Sequence, residues 1–114
     1  MQFDLDYAAH VIHSNAIEKG FYDPVKRMDE QDIIIFELKQ LAMIHSEVTE
    51  VLEALRKNKG AREVSEEMAD IFIRLVDLYS FLLSRGEVDR PLSEAILEKI
   101  DINSNRPKMH GVLA

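Results

Sequence analysis

The sequence contains no cysteine, which excludes disulfide bonds, thiolate metal sites and thiol nucleophiles. It also has no basic excess, since 14 Lys and Arg stand against 21 Asp and Glu, a net charge of -7. Such a chain has no uniform basic surface to displace counterions from duplex nucleic acid. A nucleic acid polymer is therefore not an expected partner, and the acidic excess favours a cation instead.

Long apolar runs are absent as well. Uninterrupted runs reach only four residues, as at Ile33–Phe36, whereas a membrane-spanning helix needs about 20. The segment after Met1 carries acidic residues where a signal peptide would carry basic ones. We expect a soluble, cytoplasmic protein that does not interact with a membrane.

Proline and glycine are scarce, with 3 and 4 residues in a chain of 114, and they divide a helix-period apolar pattern into four segments. The pattern predicts a single all-α domain over residues 1–114, with helices over 4–19, 29–57, 62–85 and from Pro91 onwards. Residues 105–114 are expected to form an irregular tail. The short connection between the two long helices predicts a central antiparallel hairpin.

Glu47 lies in an unfavourable place on the second predicted helix. At about 100° per residue, it falls inside an apolar arc made of Ile33, Leu41, Ile44, Val48, Val51 and Leu55. Burying a charged carboxylate costs several kcal/mol unless a partner compensates. We therefore expect either a basic residue or a metal ion beside Glu47.

Glu50 follows Glu47 by one helical turn, and Glu67 and Asp70 repeat the same spacing on the third predicted helix. If the hairpin brings the two pairs together, the carboxylates would repel one another, and a divalent cation that prefers oxygen ligands, such as Mg²⁺, would relieve the repulsion. The alternative is a solvated charged face, with salt bridges to Arg74, Lys57 or Arg62. A ferritin-like di-iron site is disfavoured because it needs Glu-x-x-His on two helices, and none of the four His has a Glu three positions before it.

The order of these motifs resembles the MazG-like all-α nucleoside triphosphate pyrophosphohydrolases, whose relatives include dimeric dUTPases and phosphoribosyl-ATP pyrophosphatase. Their mark is E-x-x-E followed by E-x-x-D, which here reads Glu47-Val-Thr-Glu50 and Glu67-Met-Ala-Asp70. The segment EKGFYD from Glu18 and the segment KIDINSNRPKMHG from Lys99 resemble two further family motifs. One departure is that the family often continues with a basic residue after HG, whereas this chain ends Val-Leu-Ala.

The resemblance implies a four-helix bundle that self-associates as a homodimer or homotetramer and hydrolyses a nucleoside triphosphate to a monophosphate and pyrophosphate. It implies that Glu47, Glu50, Glu67 and Asp70 coordinate Mg²⁺, with Mn²⁺ as a substitute, and that Lys99, Asn103 and Arg106 contact the triphosphate. Glu50 is the candidate for activating the attacking water, although spacing alone does not choose among the carboxylates.

Aromatic residues give two more expectations. Phe21, beside Gly20, is a candidate for stacking on the nucleobase. Phe36, Phe72, Tyr79 and Phe81 are expected to leave apolar surface that a second copy covers. The competing hypothesis is a non-catalytic dimeric helical bundle whose carboxylate cluster binds a metal.

Overall fold

A computed structural model describes residues 2–107, and this part of the chain contains helices and no strand. The elements are α1 (Leu5–Glu18), a 3₁₀ helix (Asp23–Arg27), α2 (Glu30–Arg56), α3 (Ala61–Ser84) and α4 (Leu92–Ser104). The all-α prediction and its four helices are confirmed. Residues 108–114, which include most of the predicted tail, lie outside the described residues.

Local chemistry explains where the helices begin and end. The Asp29 carboxylate accepts a hydrogen bond of 2.8 Å from the backbone N–H of Asp32, which caps α2 as the sequence predicts. Gly20 leaves α1 with a φ of 85°, and a Cβ at this position would lie 3.0 Å from Oδ2 of Asp23. A glycine is therefore required to turn the chain into the 3₁₀ helix.

The hairpin of α2 and α3 is the centre of the molecule, with α1 packed on α3 and α4 packed on α1. In the described part of the chain, three ion pairs join the two sides of the hairpin: Arg74 Nε lies 2.7 Å from Glu47, Arg85 Nε lies 3.2 Å from Glu37, and Arg85 also contacts Glu30. Glu37 precedes Glu47 on α2, whereas its partner Arg85 follows Arg74 in the sequence. The pairs therefore define an antiparallel register of the two helices.

An aromatic cluster forms the core at the end of the hairpin remote from its loop. The Tyr22 ring stacks on Phe81 with centroids 4.9 Å apart, and Phe36 meets Phe81 edge-on at 5.8 Å. Ile33 is buried against the same cluster. The expectation that Phe81 leaves apolar surface for a second copy was wrong, because the turn after Gly20 packs Tyr22 against Phe81 and both are buried. Phe36 and Tyr79, for which the same was expected, are half-buried.

Apolar surface nevertheless stays exposed on the helices. Phe72 is exposed, as expected. Further large apolar side chains that were not singled out are exposed on α2 and α3, among them Ile34, Leu38, Leu41, Val48, Leu52, Leu55, Met68 and Leu75.

Glu37 is the buried charged residue of the described chain, with 6% of its surface exposed. Burial raises its pKa, as do the hydrogen bond to Glu87 and the charge of Glu87, while Arg85 acts in the opposite direction. Arg85 contacts Glu30, Glu37 and Glu87 together. One guanidinium therefore compensates three carboxylates at this end of the hairpin.

Arg85→Ala is expected to lower the urea midpoint of unfolding by about 1 M or more at pH 7.5, because it leaves a buried carboxylate without its cation. Since the pKa of Glu37 is raised in the folded state, the stability gained from protonating Glu37 is present at low pH and is lost as the pH rises through that pKa. A protonated Glu37 needs no cation beside it. The stability lost in Arg85→Ala should therefore be smaller at pH 5 than at pH 7.5. Arg62→Ala is the control, since its pair with Glu66 is exposed; equal losses in the two variants would contradict the prediction.

Candidate functional site

The register of the hairpin brings both carboxylate pairs to its loop-proximal half. Glu47 and Arg74 form an ion pair across the hairpin. Glu50 lies one turn closer to the loop on α2, and Asp70 lies one turn closer to the loop on α3. At about 100° per residue, Glu50 and Asp70 turn to the same side of the hairpin, and both are exposed. The four predicted ligands thus occupy neighbouring turns of two adjacent helices.

Glu47 and Glu67 lie closer to the contact between the helices, and both are half-buried. Glu47 is paired with Arg74, so the structure supplies the basic partner that was one of the two expectations for this residue. Oε2 of Glu67 is buried and has no hydrogen-bond partner. A buried carboxylate oxygen without a partner is costly, and it therefore indicates a place for a further donor or a cation.

Within residues 2–107, no group of three or more His, Asp or Glu is gathered closely enough to hold a metal ion. The structure therefore places the four carboxylates near one another without assembling them around one point. Mg²⁺ does not require such a cage, since it is usually bound by one or two carboxylates while waters and substrate phosphates complete its shell. The unpartnered oxygen of Glu67 fits that mode of binding, and it would suit Mn²⁺ equally.

A pocket of about 370 Å³ lies beside the ion pair of Glu47 and Arg74, within the size range of small-molecule sites. It lies between the end of α1, the turn that follows, and the middle of α2 and α3. Its wall is apolar at Phe21, Tyr22, Met43, Ile44 and Leu78, and polar at Lys19, Gln40, Arg74 and Asp77. Arg74 belongs both to this wall and to the ion pair with Glu47, so the pocket and the carboxylates share a boundary.

Phe21, the predicted base contact, lines this pocket and has 41% of its surface exposed. Its ring meets Tyr22 edge-on, with centroids 5.0 Å apart. Tyr22 is held in the core, which fixes the orientation of Phe21 at the edge of the pocket. The ring of Phe21 also lies 6.1 Å from that of Phe36, so it lines the pocket and borders the aromatic core.

A hydrogen-bonded network that the sequence analysis missed supports the pocket wall. Asp77 Oδ1 lies 2.7 Å from His13 Nδ1, and Asp77 Oδ2 accepts a 2.8 Å hydrogen bond from the Tyr22 hydroxyl. Burial, followed by the hydrogen bond to Asp77 and its charge, raises the pKa of Tyr22. His13 and Asp77 are 64 positions apart, so only the packing of α1 on α3 could reveal their contact.

Lys99, Asn103 and Arg106 lie on α4 and just beyond its end. Lys99 and Arg106 are exposed, and Asn103 is half-buried with its Oδ1 unpartnered. In the described part of the chain, no hydrogen bond or ion pair joins them to the four carboxylates. Their contact with a triphosphate stays a prediction, and His110 and Gly111 of the same motif lie outside the described residues.

Tyr22→Phe is expected to lower the free energy of unfolding by about 1–2 kcal/mol, because it removes the hydroxyl that donates to a charged, half-buried carboxylate. Chemical denaturation at pH 7.5 measures the loss. Tyr7→Phe is the matched control, since Tyr7 is 68% exposed. A loss no larger than that of the control would show that Asp77 does not depend on Tyr22.

Comparison of the chain with protein-family models, curated proteins and solved structures finds no match in any of the three. No family membership is therefore shown by likeness, and the resemblance of the motifs stays a prediction. The case for a function depends on the carboxylates, on the pocket, and on the network of His13, Asp77 and Tyr22 that supports the pocket wall.

Proposed function

We propose that this protein is a Mg²⁺-dependent pyrophosphohydrolase that splits a nucleoside triphosphate, ribo or deoxyribo, into a nucleoside monophosphate and pyrophosphate. The observation that carries the proposal is the shared boundary at Arg74 between the carboxylate pairs and the aromatic-walled pocket. A nucleotide needs both surroundings, since its base is flat and apolar on its faces while its phosphates require cations. The order of the sequence motifs supports the same class of reaction.

Glu47, Glu67, Glu50 and Asp70 are the proposed ligands of Mg²⁺. When bound, the ion neutralises charge on the phosphates and aligns them for in-line displacement. Glu67 contributes the buried oxygen that lacks a partner. The two exposed carboxylates, Glu50 and Asp70, lie on the side from which solvent and substrate approach.

Arg74 takes a further part in this proposal. Its Nε is engaged by Glu47, but a guanidinium carries five N–H donors in a planar fork. The remaining donors suit phosphate oxygens, to which arginine forms strong charge-assisted hydrogen bonds. Arg74 would thus fix the phosphates beside the carboxylates, while Lys99, Asn103 and Arg106 contribute from α4.

Glu50 is the proposed base for the attacking water. The water oxygen forms a bond to the α-phosphorus as the bond from that phosphorus to the bridging oxygen breaks, and pyrophosphate leaves with the electron pair. The proton of the water passes to the Glu50 carboxylate and then to solvent. Glu50 suits this role because it is exposed and lies one turn from Glu47.

Self-association in a MazG-like arrangement belongs to the same proposal. Large apolar side chains are exposed on α2 and α3, among them Leu38, Leu52, Leu55 and Met68, and exposed apolar patches mark interaction sites. Lys99 on α4 and Arg106 just beyond its end are exposed, and in this proposal they serve the carboxylates of their own chain or of a second copy.

A second candidate function is a non-catalytic dimeric bundle whose carboxylates bind a metal. The ion pair between Glu47 and Arg74 favours it, since an arginine already compensates one of the four carboxylates. The two functions differ in a simple observable. Mg²⁺ would raise the melting temperature in both, but only the hydrolase would release pyrophosphate.

Glu67→Gln is expected to lower the rate of pyrophosphate release by a factor of roughly 100 or more, because it removes a charged ligand beside the phosphates. The measurement uses a panel of ribo- and deoxyribonucleoside triphosphates with Mg²⁺ at pH 7.5. Glu66→Gln is the matched control, because Glu66 is the adjacent residue, is exposed and pairs with Arg62. Equal loss in the two variants would contradict the assignment of Glu67, and absence of pyrophosphate release by the native chain would overturn the proposed reaction.

Phe21→Ala is expected to raise the KM for the preferred nucleotide about tenfold with a smaller change in kcat, because stacking on a base contributes roughly 1–3 kcal/mol to binding. Phe3→Ala serves as the control, since Phe3 is 73% exposed and precedes α1. Steady-state kinetics of the two variants distinguish a base contact from a general loss of aromatic surface. An unchanged KM in Phe21→Ala would remove Phe21 from the site.

A further inference from the structure

The pocket between α1, α2 and α3 contains a polar side chain whose hydrogen-bonding groups are not used within the chain. Gln40 lines the pocket from α2 and is half-buried. Within residues 2–107, its side-chain amide makes no hydrogen bond. A primary amide has two N–H donors and a carbonyl acceptor. Gln40 therefore presents both kinds of hydrogen-bonding group to a ligand in the pocket.

The other polar side chains of the pocket wall are either engaged or limited to one kind of group. Asp77 and the hydroxyl of Tyr22 are bound to each other, and the second oxygen of Asp77 is engaged by a histidine of α1. Arg74 is held in its ion pair, and neither its guanidinium nor the ammonium group of Lys19 can accept a hydrogen bond. Gln40 is therefore the side chain of this wall that offers a free donor beside a free acceptor.

Gln40 lies at the end of the pocket remote from the carboxylates. Two helical turns separate it from Glu47, which is about 10 Å along α2 at 1.5 Å per residue. One turn before Gln40, on the same face of the helix, Phe36 packs on the aromatic core. A ligand that extends from the carboxylates into the pocket would therefore bring its far end to Gln40.

Phe21 lies at the same end of the pocket. Its ring is 6.1 Å from that of Phe36, and it lines the pocket together with Gln40. Proteins that bind an unpaired nucleobase use these two groups together, since an aromatic ring stacks on the face of the base while polar side chains form hydrogen bonds with its edge. The far end of the pocket thus has the chemistry that a base requires.

We propose that Gln40 determines base specificity, with its side-chain amide forming a pair of hydrogen bonds to the Watson–Crick edge of the nucleobase. Every common base has a donor beside an acceptor on that edge: a ring N–H beside a carbonyl oxygen in uracil, thymine and guanine, and an amino group beside a ring nitrogen in cytosine and adenine. Half a turn of the amide exchanges its oxygen and its nitrogen, so one glutamine fits either order. This inference rests on the proposed function, because it assigns the pocket to the base of the nucleotide.

The substrate class that follows is a nucleoside triphosphate whose Watson–Crick edge is free. A methyl group on the ring nitrogen of that edge removes one hydrogen bond and separates the base from the amide, which leaves a half-buried polar group without a partner. Sites built on hydrogen bonds reject a ligand that lacks the matching group far more strongly than apolar pockets do. A methyl group at carbon 5 of a pyrimidine lies off this edge and should be tolerated.

Isothermal titration calorimetry tests the role of Gln40 without turnover. The probes are analogues of uridine, 3-methyluridine and 5-methyluridine triphosphate in which a carbon replaces the oxygen between the α- and β-phosphates, with Mg²⁺ at pH 7.5. For the native chain, the 3-methyl analogue is expected to bind at least about tenfold more weakly than the uridine analogue, and the 5-methyl analogue about equally.

Two variants accompany this measurement. Gln40→Met keeps the length of the side chain without its amide, so it should bind the uridine and 3-methyluridine analogues with nearly equal dissociation constants. Gln31→Met is the matched control, since Gln31 is exposed in the first turn of α2, and it should discriminate as the native chain does.

Equal binding of the uridine and 3-methyluridine analogues by the native chain would overturn the role of Gln40. Discrimination that survives in Gln40→Met, or binding of none of the analogues, would overturn it as well. Pyrophosphate release from uridine triphosphate decides the hydrolytic proposal separately. Release without discrimination leaves the hydrolase and removes Gln40, whereas discrimination without release leaves a nucleotide-binding protein and removes the reaction.

A change of preference provides a second test that damage to the fold cannot imitate. Gln40→Glu replaces the amide by a carboxylate, which only accepts hydrogen bonds, and guanine is the common base with two neighbouring donors on its Watson–Crick edge, the ring N–H and the amino group. In this variant the guanosine analogue should gain about tenfold or more in affinity relative to the uridine analogue, compared with the native chain. An unchanged or lower relative affinity for guanosine would overturn the pairing of Gln40 with the base edge.

Discussion

The antiparallel register of α2 and α3 is the constraint on which the rest of the structure depends. The described chain has a small core, so the hairpin relies on ion pairs in addition to apolar packing: Glu47 with Arg74 in the loop-proximal half, and Glu37 and Glu30 with Arg85 at the other end. A shift of α3 by one turn would separate Glu37 from Arg85 and Glu47 from Arg74 together, which would leave two carboxylates without their cations. Charge pairs of this kind contribute less to net stability than to the choice of a single arrangement.

The same register produces the candidate site. Arg74 must lie opposite Glu47 for the ion pair to form, and this places the arginine at the edge of the pocket beneath Phe21 and Tyr22. The network of His13, Asp77 and Tyr22 then ties α1 and the turn after Gly20 to α3. A structural ion pair thereby becomes a shared boundary between an apolar pocket and an acidic surface, which is the arrangement that a nucleotide with bound Mg²⁺ requires.

The sequence predicted what depends on local pattern, and it failed where contacts between distant residues decide. The helix bounds followed from Asp29, Gly20 and the apolar period, because caps and breakers act over a few residues. The need for a partner at Glu47 was also visible, but the pattern could not choose between a cation of the chain and a metal. Phe81 was misplaced because the apolar period does not say whether an aromatic residue meets its own chain or another one. The His13–Asp77 contact and the pairing of Glu37 with Arg85 had no local signal at all.

The long helix α2 presents three different faces. Its inner face packs on α3, and the exposed Glu50 lies to one side of that face. A row of exposed apolar residues, here called the α2 seam, lies roughly opposite to Glu50 at about 100° per residue and consists of Ile34, Leu38, Leu41, Val48, Leu52 and Leu55. A second copy that covers the seam would thus leave the acidic side open to water, cations and substrate. The separation also explains why one apolar arc on α2 was too simple an expectation: Ile33 and Val51 belong to the inner face, whereas Leu41, Val48 and Leu55 belong to the seam.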